Sequence, residues 1–308
     1  MENSMIPTRH ILSQGPVLKA LGQTALRGLT QRFDRRSPTP PPAPGPELHA
    51  TVAPRPADLV ADYVRHVGGD PAAYHGTVPA HLFPQWGFPF AARTLADLPY
   101  PLLKVFNAGC RLDMKAPLPQ GQALEIRARL ASLKVDERRV LLSQRIITGT
   151  QAEPEAVTAH LYAFVPLGGG KSKAGGTKTV VPMDAQRIAI WQLPVNAGLE
   201  FAVLTGDFNP VHWVRPYARA LGFRNRILHG FSTMARTIES LNQELFHGDV
   251  NALESIDVRF TRPLVLPAAV AVFVKDHHVY VGDAFGSPAY LEGTFVAREK
   301  KPQTGVTP

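Results

Sequence analysis

The chain has 308 residues, 44% of them hydrophobic, which is enough to build one large core or two ordinary ones. Its formal net charge is +8 at pH 7, which favours anionic partners. No zinc-finger spacing or aromatic RNA-binding motif accompanies this charge, so nucleic acid is not an expected partner. The single cysteine, Cys110, excludes an intrachain disulfide and fits a reducing compartment.

Residues 1–48 are predicted to form an N-terminal arm that ends in a proline-rich linker. The apolar residues of the arm fall near helical spacing, and few acidic residues accompany its arginines. We interpret it as a helical arm packed on the body or on a partner, the alternative being a mitochondrial transit peptide. The run at 37–46, SPTPPPAPGP, indicates a stiff extended segment. No apolar run approaches the ~20 residues of a membrane span, and we expect a cytoplasmic protein.

Residues 49–166 are the first predicted domain. Alternating, strand-like runs cover 123–133 and 140–148. A helix of this domain would have to lie within 78–95, where Pro79, Pro84 and Pro89 predict that no regular helix forms.

A glycine- and lysine-rich segment, residues 167–182, predicts a flexible linker. Its GGGKS string lacks the first glycine of a phosphate-binding loop, because position 165 is valine. Residues 183–300 are the second predicted domain, and 301–308 form a tail. In this domain the spacing of apolar residues predicts a helix from Gly230 to Leu245. A strand is predicted over 268–275.

The two domains show weak internal similarity. Arg111–Pro119 resembles Asp257–Val265, and each domain ends in a similar strand-like run. Duplication is the economical explanation. A helix with several alternating strands in each half predicts the α+β class, with the helix on one face of an antiparallel sheet.

Residues 201–218, FAVLTGDFNPVHWVRPYA, are the most informative segment of the chain. Asp207 and His212 can converge on one water if the chain between them turns sharply. Gly206 tolerates the backbone angles of a turn, while Pro210 fixes its own φ and biases Asn209 towards extended geometry. A carboxylate and an imidazole on one rigid turn indicate general acid–base chemistry.

This segment resembles the signature of the MaoC-like dehydratases, also called R-specific or type 2 enoyl-CoA hydratases. The likeness continues in Arg226–Ala235, similar to the His-Gly segment that opens the central helix of the family, and in Val258–Leu264, similar to the strand that follows. The resemblance implies a double hotdog, in which two tandem hotdog domains form a pseudo-dimer with antiparallel sheets wrapped around central helices. Residues 49–166 would be the degenerate domain and 183–300 the catalytic one.

The resemblance also implies reversible hydration of trans-2-enoyl thioesters to (R)-3-hydroxyacyl thioesters, or the reverse dehydration. Asp207 and His212 would hold the water, and the Gly230 N–H would donate to the thioester oxygen. The other candidates support the loop or contact substrate: Gly206, Asn209, Pro210, His229 and Ser232. Two alternatives remain, a non-catalytic acyl-thioester-binding or scaffolding subunit and a hotdog thioesterase.

Coenzyme A or acyl carrier protein would carry the substrate, with no further cofactor and no metal, and a homodimer is possible. Candidate arginines for the phosphates of coenzyme A are Arg215, Arg219, Arg224, Arg226 and Arg262. If the first domain lacks its helix, the vacated space would admit a long acyl chain, lined by Phe83, Trp86, Phe88 and Phe90. Asp70 and His75 repeat the spacing of Asp207 and His212 without the Asn-Pro pair, so we interpret them as a vestigial turn and not as a second active site.

Overall fold

The computed structural model describes residues 6–15, 42–96, 98–100, 105–167 and 179–299. Most of the predicted N-terminal arm and linker, the middle of the glycine- and lysine-rich segment and the tail lie outside these residues. At the end of the glycine- and lysine-rich segment, Val181 is buried, and it packs with Ala185, Ala271 and Phe273 of the second domain.

One antiparallel sheet of ten strands runs through both domains. In chain order the strands are β1 Leu48–Val52, β2 Thr77–Val78, β3 Phe106–Met114, β4 Leu118–Pro119, β5 Leu124–Val135, β6 Arg139–Gly149, β7 Val157–Pro166, β8 Gln186–Leu193, β9 Leu253–Phe260, β10 Ala268–Lys275, β11 His278–Gly282 and β12 Leu291–Ala297. The order in the sheet is β1-β5-β6-β7-β3-β9-β12-β11-β10-β8, and β2 pairs separately with β4. The first five strands of that order come from the first domain and the last five from the second.

The two domains meet where β3 pairs with β9. Arg111 lies directly opposite Asp257, and the flanking pairs Cys110 with Val258 and Leu112 with Ile256 are arranged symmetrically about it. Arg111 and Asp257 are also the first residues of the two similar sequence segments. A pseudo-two-fold axis therefore passes through this pair, as expected when two copies of one unit pair edge to edge.

Each domain contributes a pair of helices to the same face. In the first these are α1 Ala57–His66 and α2 Pro84–Thr94, and in the second α3 Ala197–Thr205 and α5 Gly230–Ser240, with the short α4 Arg215–Ala220 between them. A π-helical turn, Leu241–Leu245, continues α5. The predicted helix from Gly230 to Leu245 and the predicted α+β class are therefore confirmed. Among the described residues, no helix combines the length and apolarity needed to cross a membrane.

The prediction that prolines prevent a helix within residues 78–95 is wrong. Pro79 precedes a short 3-10 turn, and Pro84 occupies the first position of α2, where its missing N–H costs nothing. Pro89 lies inside the helix and removes one hydrogen bond, the one to the Gln85 carbonyl. Packing compensates for that loss, because Trp86 is buried and donates its indole N–H to Thr148 Oγ1 at 3.0 Å.

The N-terminal segment that the structure describes packs against α1 and α3. Its 3-10 helix, Thr8–Gln14, places the His10 ring 2.8 Å from the Asp62 carboxylate. Gln14 is fully buried and donates its side-chain amide to the carbonyl oxygens of Val203 and Leu204, at 3.1 and 3.0 Å. These carbonyls belong to the last turn of α3, which has no intrahelical donors left for them. Residues 6–15 thus cap the helix that leads into the 206–212 loop.

Candidate active site

The loop that follows α3 turns as its residue types predict. Gly206 ends the helix at φ 82°, a left-handed conformation that suits glycine, and its N–H donates to the Ala202 carbonyl at 2.7 Å. Asn209 is extended, with φ −58° and ψ 121°, and its Oδ1 accepts from the Val211 N–H at 3.3 Å. Pro210 then starts a single 3-10 turn that ends at His212. Asn209 therefore holds the loop through its own side chain.

His212 is oriented by the segment that precedes α5. Its Nδ1–H donates to the Ile227 carbonyl at 2.9 Å, which leaves Nε2 as the atom with a free lone pair. Gly198, at the start of α3, lies against the His212 carbonyl so closely that an added Cβ would overlap that oxygen. No sequence pattern marks Gly198 as part of the site, because only the folded chain brings it next to residue 212.

Asp207 and His212 face each other in a nearly closed site. The Asp207 side chain is 16% exposed, and burial raises its pKa against the opposing effects of His212 and of the Asn209 N–H. Burial lowers the pKa of His212, while Asp207 and the bond to Ile227 oppose that shift. Each residue therefore lies closer to its neutral form than it would in water, which suits groups that exchange a proton near neutral pH.

His229 connects the two candidate catalytic residues. Its Nε2–H donates to the backbone carbonyl of Asp207 at 2.9 Å, and its ring stacks on that of His212 with centroids 3.5 Å apart. The ring is 1% exposed, and burial, followed by the proximity of His212, places its pKa well below the ordinary value. His229 is therefore a neutral support for both residues, and its Nδ1 is buried without a hydrogen-bond partner.

The N-terminus of α5 adjoins these side chains. Gly230 is the first residue of the helix, where a backbone N–H has no acceptor within the helix. A Cβ at this position would lie 2.6 Å from the Phe260 ring, so the close packing requires glycine. Ser232 is fully buried, and its Oγ has no hydrogen-bond partner. Two unpartnered polar atoms, on His229 and Ser232, thus flank the helix N-terminus.

Asp207, His212 and His229 each offer an atom within 4.8 Å of the other two, a donor set that metal ions also use. The two imidazole rings are stacked, with 24° between their planes. In each ring one nitrogen donates to a backbone carbonyl, that of Ile227 for His212 and that of Asp207 for His229. The other nitrogen of each ring keeps a lone pair that can accept a proton.

The arginines predicted to meet coenzyme A differ in exposure and in their contacts. Arg215, Arg219 and Arg224 are exposed. Arg226 is partly buried, with its Nη1 3.5 Å from the Val195 carbonyl and its Nε buried without a partner. Arg262 lies over the Tyr290 ring at 4.0 Å and donates to the Pro288 carbonyl at 3.1 Å. Arg262 is thus already held by the protein.

The predicted acyl-chain pocket rested on a missing helix, and that premise is wrong because α2 fills the space. Phe83, Trp86 and Phe90 are buried in core clusters around it. Phe88 alone of the four is partly exposed, and its ring contacts that of Phe231, the residue after Gly230, with centroids 5.1 Å apart. Phe88 is therefore the candidate of this set that stays close to the site.

Asp70 and His75 belong to a structural turn. Both are exposed, the Asp70 carboxylate caps a 3-10 turn by accepting the Ala72 N–H at 2.9 Å, and His75 adopts φ 46° at the end of that turn. The buried acid of this region is Glu239, from α5 of the other domain, which contacts His81 and Tyr74. No local sequence pattern marks Glu239, His81 or Tyr74 as a cluster.

A family model described as a MaoC like domain matches residues 185–284. The mouse peroxisomal multifunctional enzyme type 2 is 24% identical over 208 residues, which are 62% of this chain and 28% of that protein. The 3-hydroxyacyl-thioester dehydratase X of Mycobacterium tuberculosis is 24% identical over 183 residues, 58% of this chain and 62% of that one. The match therefore spans less than two thirds of either relative.

Solved structures share the architecture. The crystal structure of HtdX from Mycobacterium tuberculosis gives a TM-score of 0.65 at 19% identity, covering 81% of this chain and 99% of that one. A conserved hypothetical protein of the same organism, with a double hotdog fold, gives a TM-score of 0.56 at 13% identity, covering 83% and 96%. The predicted double hotdog is therefore confirmed, and the stretch that matches the MaoC like domain model, residues 185–284, contains Asp207, His212 and Gly230.

Proposed function

We propose that the protein hydrates trans-2-enoyl thioesters to (R)-3-hydroxyacyl thioesters, and catalyses the reverse dehydration, at the site formed by Asp207, His212 and Gly230. The observation that carries this proposal is the pairing of a buried carboxylate with an imidazole nitrogen within 4.8 Å of it, beside a helix N-terminus. The names of the relatives, which act on hydroxyacyl or enoyl thioesters, support the same reaction class.

Addition of water across the double bond needs a base, an acid and an acceptor of negative charge. A water held between Asp207 and His212 Nε2 loses a proton to the pair as its oxygen bonds to C3. The electron pair of the double bond moves towards the thioester carbonyl, and a proton returns from the pair to C2. Because the two residues share one proton, the apparent pKa values belong to the pair.

The N–H of Gly230 stabilises the charge that develops on the thioester oxygen. The dipole of α5 adds to this effect, because its positive end lies at Gly230. The missing Cβ lets the Phe260 ring pack directly against the first turn of α5. His229 holds the Asp207 backbone and the His212 ring in register with this helix.

The test uses crotonyl-CoA and a longer trans-2-enoyl-CoA, with loss of the conjugated enoyl absorbance as the readout. We expect wild-type protein to hydrate at least one of them, and chiral analysis to give the (R) product. Asp207→Asn and His212→Gln should each lower kcat by roughly 10² to 10⁴. Asp136→Asn, an exposed carboxylate on the β5–β6 turn, is the control and should leave kcat unchanged. Full activity in Asp207→Asn would refute the assignment of the site.

A further inference from the structure

A cavity of about 510 Å³ lies at the opposite end of α5 from Gly230. It is bounded by β8, by the end of α1 and by the turn after α5. Its polar lining comes from Arg187, Trp191, Arg236, Ser240, Gln243 and Glu244. Arg236 is six residues beyond Gly230, roughly 9 Å along the helix axis, and Ser240 roughly 15 Å. We call this space the Arg236 cavity.

Arg236 is a cation without a matching anion. Its Nε is buried with no hydrogen-bond partner, and its Nη2 donates only to His66 Nε2, at 3.4 Å. Among the described residues, no carboxylate oxygen lies within 4 Å of its guanidinium. Burial lowers its pKa to about 10, so it remains charged at neutral pH. A buried charge of this kind is costly unless something pairs with it.

His66 cannot supply the missing negative charge. Burial lowers its pKa to about 4, so the ring is neutral at pH 7. It accepts from Arg236 through Nε2, and its Nδ1 lies 3.4 Å from the Glu200 carboxylate. The His66 ring therefore lies between Glu200 and Arg236. The Asn196 side-chain amide also donates to the Glu200 carboxylate, at 2.6 Å. Across this ring the Glu200 charge opposes the pKa shift that burial causes in Arg236, but no described carboxylate contacts the guanidinium itself.

The rest of the lining suits a phosphate group attached to a small molecule. Arg187 brings a second guanidinium, against the single carboxylate of Glu244. Guanidinium groups bind phosphate in two-pronged geometry, which a lone ammonium cannot do. The Trp191 indole is fixed by its N–H bond to Ser240 Oγ at 3.1 Å and offers a flat apolar wall. The volume falls within the range of about 300–1,000 Å³ typical of small-molecule sites.

From these observations we propose that the Arg236 cavity binds a phosphate-bearing small molecule, with Arg236 as its principal anchor and Arg187 as the second. The phosphate belongs either to a free metabolite or to the coenzyme A of the proposed substrate. In the second case the inference rests on the proposed function, and in the first it stands independently of it.

The first experiment titrates the full-length protein with inorganic pyrophosphate and follows tryptophan fluorescence, with sodium chloride at matched ionic strength as the blank. We expect a saturable change that Trp191→Phe removes. Arg236→Gln should raise the apparent Kd at least tenfold, whereas Arg138→Gln, an exposed arginine on the β5–β6 turn, should not change it. If Arg236→Gln fails to fold, Arg187→Gln is judged by the same criterion, since Arg187 is exposed. No saturable binding, or equal Kd values in the cavity variant and Arg138→Gln, would overturn the proposal.

A second experiment identifies the source of the phosphate. Adenosine 3′,5′-bisphosphate, the head group of coenzyme A, is titrated in the same way as pyrophosphate. In addition, KM is measured for crotonyl-CoA and for crotonyl-pantetheine, which lacks phosphates. If coenzyme A supplies the phosphate, Arg236→Gln raises KM for crotonyl-CoA about tenfold and leaves that for crotonyl-pantetheine unchanged. If the ligand is a separate metabolite, both KM values are unaffected while the loss of pyrophosphate binding persists. Absence of turnover with both crotonyl-CoA and the longer trans-2-enoyl-CoA would refute the proposed function without affecting the binding result.

Discussion

The Asp207 carboxylate lies in a buried environment that favours its protonated form. Burial raises its pKa above that of the unfolded chain, so its contribution to stability is full below the ordinary carboxylate pKa and is lost as pH rises through the folded value. At pH 7, above the ordinary carboxylate pKa, this upward shift therefore lowers the free energy of unfolding. A carboxylate that is retained despite this loss of stability is expected to serve the chemistry of the site.

Asp207→Asn is expected to raise the free energy of unfolding at pH 7 while activity falls. The gain should disappear as pH is lowered below the ordinary carboxylate pKa, which urea denaturation at a series of pH values would measure. Asp136 is the matched contrast, because backbone N–H groups of Arg138 and Arg139 lower its pKa. Asp136→Asn should therefore give no gain. A destabilised Asp207→Asn at pH 7 would contradict this account.

Gly230 illustrates a requirement set by packing. Gly230→Ala places a methyl group against the Phe260 ring, 2.6 Å away before relaxation, and so displaces the N–H that faces the site. We expect kcat to fall by roughly 10² to 10³, as for loss of an oxyanion donor. Phe260→Ala in the same chain should restore part of that loss by making room. If the double variant is no more active than Gly230→Ala, the contact with Phe260 does not control the position of Gly230.

At the scale of elements, the sequence predicted those helices and strands that have a clear pattern of apolar residues. The apolar spacing of α5, the alternation in β5 and β6 and the continuous apolar run of β10 appear in the chain itself, and the structure confirms these elements. The helix α2 was missed because the cost of Pro89 is local, whereas the burial of Trp86 that offsets it depends on β6. The cap of α3 was missed because its donor, Gln14, lies about 190 residues away in sequence.

The contact of Gln14 with α3 carries a prediction of its own. Gln14→Ala leaves the carbonyls of Val203 and Leu204 without their donor, which should cost about 1–3 kcal/mol in the free energy of unfolding. Since α3 ends directly before Asp207, we also expect kcat to fall while KM changes little. Chemical denaturation and steady-state kinetics measure both effects, with the exposed Gln192→Ala as the control. Unchanged stability would show that residues 6–15 do not hold α3.

At the scale of the whole molecule, a buried polar cluster joins the two domains. Glu239 of α5 accepts from the Tyr74 hydroxyl at 2.6 Å and lies 3.1 Å from His81 Nε2. The Tyr63 hydroxyl donates to the His81 carbonyl at 2.8 Å and lies 3.1 Å from His81 Nδ1. His81 and Glu239 are therefore the centre of a buried hydrogen-bonded network that draws on both domains. Both side chains are 2% exposed.

Removal of one partner from such a pair leaves polar atoms of the other buried without a hydrogen-bond partner. Glu239→Gln should therefore lower the free energy of unfolding by about 1–3 kcal/mol, and His81→Gln by a similar amount. In the double variant the contact is missing from both sides, so the loss should be smaller than the sum of the single losses, with a coupling of about 0.5–3 kcal/mol. Urea denaturation of the four proteins measures this cycle.

A coupling near zero would mean that Glu239 and His81 act independently. With the coupling present, the pair links α5, which begins at the proposed oxyanion donor, to the domain that lacks the Asp-His site. Because one core contains residues of both domains, wild-type protein should then unfold in a single transition. In Glu239→Gln, two transitions would mark the first domain as stabilised mainly through this contact, and retention of one transition would assign that role to the β3–β9 pairing.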